Sequence, residues 1–399
     1  MRTLKVTLTL CLLMVGLCIP ATTMAQKSKP KATPPKVTTT TEPANETVPA
    51  PKDGLAQLKE KGRNAERLGL YDLAEKYYRQ ASDDPSGEAQ LLLGLLLEQK
   101  EYYQEAAQYL AQNTTADGLA HLSQCLIQLR QWDSAAACAA RAIELDTASS
   151  LAMTSMALVE SEKDQHINAV NWAKRAVKAD PKYARAENVL GYVLFRKGND
   201  NDAIAHFRKA LQLDSMLIVA YYNLGSMYCL RNNHDSAIKI IKQGLRRAPR
   251  SIKLYTALAA AFRQRRSFDK ALTCYEEILA IDSLHTPTIN RIGTLHSQQG
   301  HFDRAVAFHK RALRIKPNDA QAYKYMGRAY TEWGQYPKAI QAFIRATDID
   351  TSDPETYMML ADLYAKQGQD KKQMNNIKKA ARLGDKEAQT WLVKRGQSW

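Results

Sequence analysis

From the middle fifties to the C-terminus, apolar residues recur at i, i+3, i+4 and i+7, and no stretch alternates strictly between apolar and polar. That periodicity predicts helices throughout and no strand. A second regularity lies inside the stripes. A small residue following an apolar one falls at Ser123, Ala157, Gly191, Gly225, Ala259, Gly293, Gly327 and Ala361, always 34 positions apart. The series Ala135, Ala169, Ala203, Ala237, Ala271, Ala305 and Ala339 keeps the same interval. Two earlier units, marked by Gly62 with Ala74 and Gly94 with Ala106, continue both series at shortened spacing.

Glycine inside a helix costs about 0.5–1 kcal/mol relative to alanine. Gly225, in the stretch YYNLGSMY, therefore needs a packing reason. A 34-residue unit of two helices cannot bury its apolar face alone and stacks on copies of itself. A small residue on each helix lets the two backbones approach, while Leu224, Tyr228 and Ile241 fill the space on either side. The same structural role is assigned to Gly94, Gly191, Gly293 and Gly327 on first helices, and to the alanine series on second helices. Units close alternately in Asp-Ser/Thr, at Asp146, Asp214, Asp282 and Asp350, and in proline, at Pro181, Pro249 and Pro317. The longer period is 68 residues.

The pattern apolar-x2-Leu-Gly-x2-Tyr, then Ala-x3-aromatic-x2-Ala, resembles the tetratricopeptide repeat. Tyr221, Leu224, Gly225, Tyr228, Ala237 and Pro249 carry it in one unit. Tyr323, Met326, Gly327, Tyr330, Ala339, Phe343 and Ala346 carry it in another. The likeness covers about residues 55–387. It implies an all-α, right-handed α-solenoid of about ten helical hairpins over 53–387, in strict register from 116 on. A capping helix and tail over 385–399 is expected to close the array with a polar outer face.

The first 52 residues read differently. Arg2 and Lys5 precede the apolar run Val6–Ile19, and Thr23-Met24-Ala25 offers a small-residue cleavage site. Residues 1–25 are the pattern of a secretory signal peptide, and the run is too short to span a bilayer as a retained helix. Cys18 follows Leu17, not the small residue that lipid attachment needs. Residues 26–52, rich in proline, threonine and lysine, cannot bury enough apolar surface to fold and are expected to be a disordered linker. The expected location is the periplasm, cell envelope or exterior of a Gram-negative bacterium, without stable membrane insertion.

Composition narrows the chemistry. Hydrophobic content of 45% and charged content of 24% are those of a soluble folded chain, and a net charge of +15 favours anionic partners. Beyond the leader lie Cys125, Cys138, Cys229 and Cys274, with no CxxC pair. They read as small buried residues, with a disulfide between Cys125 and Cys138 across one hairpin as the alternative. His296, His301 and His309 form the densest histidine group, but no carboxylate or cysteine stands at ligand spacing, so packing is their expected role. No phosphate loop, HExxH, GxSxG or dinucleotide fingerprint is present. Neither catalysis, a cofactor, a metal nor a small-molecule ligand is expected. Nucleic acid is not expected either, because the dense basic stretches Gly244–Arg250, Arg263–Arg266 and Lys371–Lys379 fall on different units.

What remains is a surface. In the family, first helices line a concave face. The resemblance puts Arg185, Asn188, Tyr192, Phe195 and Arg196 there, followed by Tyr222, Lys253, Arg263, Asn290, Lys324 and Arg328. Rings interleaved with guanidiniums suit proteins or extended peptides, with aromatic anchors and forked carboxylate contacts. The carboxylate clamp of co-chaperone arrays is not expected. Asn223 and Lys253 match two of its five slots, while Tyr192 and Ala257 occupy others. The function expected is a non-catalytic interaction scaffold or adaptor in the cell envelope. The alternative is a chaperone-like escort or accessory subunit of an envelope secretion or assembly machine.

Overall fold

The computed structural model describes residues 54–399. The leader and linker expected over 1–52 lie outside the described residues. The helices are α1 (Leu55–Arg67), α2 (Tyr71–Gln80), α3 (Glu88–Gln99), α4 (Tyr103–Leu110), α5 (Ala116–Gln128), α6 (Trp132–Leu145) and α7 (Ser150–Glu162). They continue as α8 (His166–Ala179), α9 (Ala184–Lys197), α10 (Asp200–Leu213), α11 (Ile218–Leu230), α12 (His234–Arg247), α13 (Ile252–Gln264) and α14 (Phe268–Ile281). The last are α15 (Thr286–Gln298), α16 (Phe302–Ile315), α17 (Ala320–Glu332), α18 (Tyr336–Ile349), α19 (Pro354–Lys366), α20 (Asp370–Arg382) and α21 (Lys386–Val393). No strand occurs among the described residues. The fold is all-α: ten first-and-second helix pairs and a closing helix. It divides into two compact units, one ending at Met227 and one running Tyr228–Trp399.

Within each unit the glycine register is the contact that sets hairpin geometry. A Cβ built on Gly191 would lie 2.8 Å from Phe207 Cε1 and 3.0 Å from the Ala203 carbonyl. On Gly293 it would lie 2.7 Å from His309 Cε1 and 3.0 Å from the Ala305 carbonyl. Gly94 faces Leu110 at 2.6 Å and Gly327 faces Phe343 at 2.7 Å in the same way. The glycine of these first helices therefore receives a large side chain from the second, beside a fully buried alanine. Where a unit lacks the glycine, the contact changes character: Ser123 Oγ donates to the Ala135 carbonyl at 2.8 Å.

Turns follow the same period. The residue between first and second helix is left-handed at Arg130, Asp164, Gly198, Asn232, Arg266, Gly300, Gly334 and Gly368. Glycine adopts that backbone without penalty, whereas an ordinary L-residue is strained by about 1–2 kcal/mol. Arg130→Gly should therefore raise stability by about 1 kcal/mol and Gly198→Ala should lower it by a similar amount, both read by thermal denaturation. At the other end, the aspartates that close second helices turn the chain. Asp146, Asp180, Asp214, Asp282 and Asp350 each accept, through Oδ1, the backbone N–H two residues on, at 2.8–3.0 Å. The Asp-Ser/Thr closings are thus turn chemistry.

The first two hairpins, where the sequence interval shortens, have second helices of 10 and 8 residues rather than 13 or 14. Ion pairs supplement their smaller core. Lys59 reaches Asp84 at 2.8 Å and Glu88 at 2.5 Å, and Lys100 reaches Asp72 at 2.8 Å and Glu75 at 2.6 Å. At the opposite terminus, α21 seats Ala388 and Leu392 against Tyr357, Ala361, Ile377 and Ala381. Trp391 is half-buried there, with the Arg395 guanidinium 3.8 Å over its ring.

Candidate functional site

The first helices carry the polar clusters of both units, and these are best built residue by residue. In the first unit, Tyr192 on α9 is 3% exposed. Its hydroxyl donates to Glu162 Oε1, at the end of α7, at 2.8 Å. One turn on, Arg196 donates to the same carboxylate at 3.0 Å and to Asp164 Oδ1, in the following turn, at 2.9 Å. Burial first, then the Glu162 charge, pushes the Tyr192 hydroxyl well above the usual tyrosine range, so it stays a donor. Between α9 and α11, Asn223 Nδ2 donates to Asn188 Oδ1 at 3.0 Å, both residues buried. Asn223 Oδ1 and Ser226 Oγ nearby are buried without a hydrogen-bond partner.

In the second unit, Lys324 on α17 is the centre. Its ammonium meets Asp353 Oδ2 at 2.8 Å and Glu355 Oε2 at 2.5 Å. Arg328, one turn on, closes on the other oxygen of Glu355. Asp353 also caps α19 and accepts from Thr356 Oγ1 at 2.7 Å. Burial opposes the charge on Lys324, but the hydrogen bonds it donates to Asp353 and Glu355 outweigh it and hold the ammonium above its ordinary value. Burial likewise opposes the Asp353 carboxylate, and Lys324 and Thr356 hold it below its ordinary value. Ser297 donates to Glu332 at 2.9 Å between α15 and α17, and His309 donates from Nδ1 to Asn290 Oδ1 at 3.0 Å.

Of the residues assigned from the sequence to a partner face, Asn188, Tyr192, Tyr222, Asn290 and Lys324 are each less than a tenth exposed. The polar atoms of Asn188, Tyr192, Asn290 and Lys324 serve the stack, and with Tyr222 buried beside them these five do not offer an open surface. Phe195, Arg196, Lys253, Arg263 and Arg328 are partly exposed, and Arg185 is exposed. The acids that answer these cations, Glu162, Asp164, Asp353 and Glu355, were absent from the sequence-based set. A signal for them existed: each lies 27–34 positions from its cation, about one repeat away. Side chains at one inner position bond groups on the neighbouring first helix.

Other chemistry resolves into packing. All four described cysteines are free thiols, so Cys125 and Cys138 are not paired. Burial pushes Cys229 and Cys274 up to about 11, leaving both protonated at neutral pH. His296 stacks on Phe308 with ring centroids 5.4 Å apart, and His309 stacks on Tyr325 at 5.8 Å. Among the described residues, no group of three His, Cys, Asp or Glu side chains could hold a metal ion. No described helix is long and apolar enough to cross a membrane.

Comparison with known proteins agrees with this architecture. A family model described as the cilia and flagella-associated protein 70 C-terminal domain matches residues 144–394, and a tetratricopeptide repeat model matches residues 59–118. No curated protein matches the chain. Among solved structures, the human IFIT1 dimer with m7Gppp-AAAA is similar at 13% identity and a TM-score of 0.51, over 83% of this chain and 90% of that one. The APC/C hetero-tetramer Cut9-Hcn1 is similar at 13% identity and a TM-score of 0.42, over 85% and 96%. YrrB, titled a TPR protein with an unusual peptide-binding site, is 22% identical over 49% of this chain and 97% of its own, at a TM-score of 0.36. At 13% identity the likeness to the IFIT1 dimer is one of fold alone.

Proposed function

The chain belongs to the tetratricopeptide-repeat family, and from that premise we propose that it is a non-catalytic adaptor that holds protein or extended-peptide partners along its first helices. One observation carries the reading: Arg196 and Arg328 on that face are already held by carboxylates about one repeat away. Arg196 is fixed by Glu162 and Asp164, and Arg328 by Glu355. Such groups present charge in a set geometry, so a partner does not lose their rotamer entropy on binding. The surface is mixed in sign, which suits a chain offering both carboxylates and amines. The leader pattern at residues 1–25 supports an exported, envelope-facing adaptor.

The test is a crosslinking pull-down with the full chain and its variants. Arg185→Ala, Arg263→Ala and Arg328→Ala together remove partly or fully exposed guanidiniums without opening the core. Capture should fall about a hundred-fold if each contributes an ordinary interface arginine. One or two recurrent partners identify a scaffold, and many weak clients identify an escort. Undiminished capture by the triple variant would move the partner off this face.

A further inference from the structure

The chain's charge is not evenly divided. From Tyr228 to Trp399, thirty lysines and arginines face sixteen acids, a net of +14. Residues 54–227 carry nineteen against twenty-two, a net of −3. Within the second unit the excess is concentrated again, on alternate second helices. The last two turns of α12 bear Lys242, Arg246 and Arg247. Those of α16 bear Lys310, Arg311 and Arg314, and those of α20 bear Lys378, Lys379 and Arg382. The intervening α14 carries Glu276 and Glu277 at that level, α18 carries Arg345 beside Asp348, and neither has a base in its last turn.

Little of this charge is spent on the fold: Arg311 donates to the Ser283 carbonyl at 3.3 Å and Lys379 stands 5.2 Å over the Tyr357 ring, but no acid answers either. Ion pairs of the second unit run between Arg265 and Asp235, between Lys324 or Arg328 and Asp353 or Glu355, and between Arg345 and Asp348. Among the described residues, none of the nine helix-end cations has a carboxylate within 4 Å. Compensation of the helix dipole would place bases at every C-terminus, not at alternate ones. Second helices of stacked hairpins all run the same way, so their C-termini share one rim of the unit. The same rim exposes aliphatic side chains. Leu284, in the turn after α14, is 64% exposed. Ile315, Ile349 and Leu383, at the ends of α16, α18 and α20, are 36–40% exposed.

We propose that this rim docks on an anionic lipid surface. Cations that no carboxylate neutralises draw it to the headgroups, and the aliphatic tips beside them enter the boundary with the acyl chains. The attachment is peripheral, since no described helix spans a bilayer. Nucleic acid fits less well, because strand binding rewards exposed rings for stacking. No exposed large apolar residue at the second-helix ends is aromatic. Trp333, 40% exposed, stands in the turn between α17 and α18, at the opposite rim.

Full chain is mixed with sedimenting vesicles of phosphatidylcholine alone or with phosphatidylglycerol added, and bound protein is measured after centrifugation. Binding is expected only with phosphatidylglycerol. It should fade between about 0.1 M and about 1 M salt, as the screening length falls from about 10 Å to about 3 Å. Arg246→Glu, Arg314→Glu and Arg382→Glu, one exposed site per helix, should weaken it about five-fold each and over a hundred-fold together. Leu284→Ser with Leu383→Ser should weaken it at unchanged charge. Circular dichroism of each variant checks folding, and the two vesicle arms on the unaltered chain decide the matter if a variant unfolds. Equal binding to both vesicles, or indifference to the charge reversals, overturns the proposal. Tighter capture of a DNA duplex or of polyglutamate, insensitive to the leucine changes, reassigns the rim to a soluble polyanion.

Discussion

Gly327→Leu is expected to destabilise the second unit by about 3 kcal/mol or more. A Cβ alone at Gly327 would sit 2.7–2.8 Å from three atoms of the Phe343 ring, closer than carbon atoms tolerate. The ring cannot swing aside. Phe343 is 1% exposed, packed in one cluster with Ala305, Met326, Ala339 and Ile340. The two helices must therefore separate, which also opens the alanine contacts beside them. The size of the partner varies among units. First-helix glycine goes with a large residue 16 positions later, as in Gly191 with Phe207, whereas Ala157 goes with Ala173. Gly327→Ala combined with Phe343→Ala copies the latter pair. Denaturant titration should find the double variant less destabilised than the sum of its single changes by over about 1 kcal/mol. Strict additivity would show that the two residues do not share a contact.

How much of this was legible beforehand depends on what each residue answers to. Gly191, Gly293 and Gly327 answer to a neighbour at a fixed offset within one hairpin, so their interval alone identified the contact. The repeat register is likewise a local pattern. The first-helix cations answer to acids one repeat away, on another helix. Arg328, seen alone, looked like an open hand for a partner's carboxylate, yet Glu355 already fills it. Tyr222 and Lys324 were misjudged for the same reason: an aromatic or a long cation on the inner stripe reads as surface until the next hairpin covers it. Buried at 7% each, both stand inside the stack. The rim cations escaped the opposite way. Counted by sequence stretch, they lie on separate units. Only the parallel running of second helices gathers them on one edge.

Acidification between pH 6.5 and 4 should loosen the hairpins around α15 and α16 before the rest of the chain, and His309 should be the main cause. This histidine stands in the slot that Phe207 and Phe343 occupy in other units, and it is 1% exposed. Burial holds its imidazole at about 4, down from an ordinary 6.5. Nδ1 donates to Asn290, while Nε2 turns toward Gly293, where an added Cβ would meet it at 2.9 Å. A second proton would place an uncompensated cation in that contact. The unfolded chain takes up the proton at the ordinary value, so between the two values it binds more protons than the folded chain. Stability is therefore whole above about pH 6.5 and lost progressively toward pH 4, by about 3 kcal/mol in all. His296, which burial followed by Arg304 and His301 also lowers, adds in the same direction. Asp353 responds only at more acid pH, as its carboxyl lies below the ordinary value. His309→Phe removes the titrating group but strands Asn290, a cost of about 1–3 kcal/mol at neutral pH. The measurement that matters is accordingly the slope. Hydrogen exchange of α15 and α16 should change steeply with pH in the unaltered chain and more weakly in His309→Phe, and parallel slopes in the two would acquit the histidine.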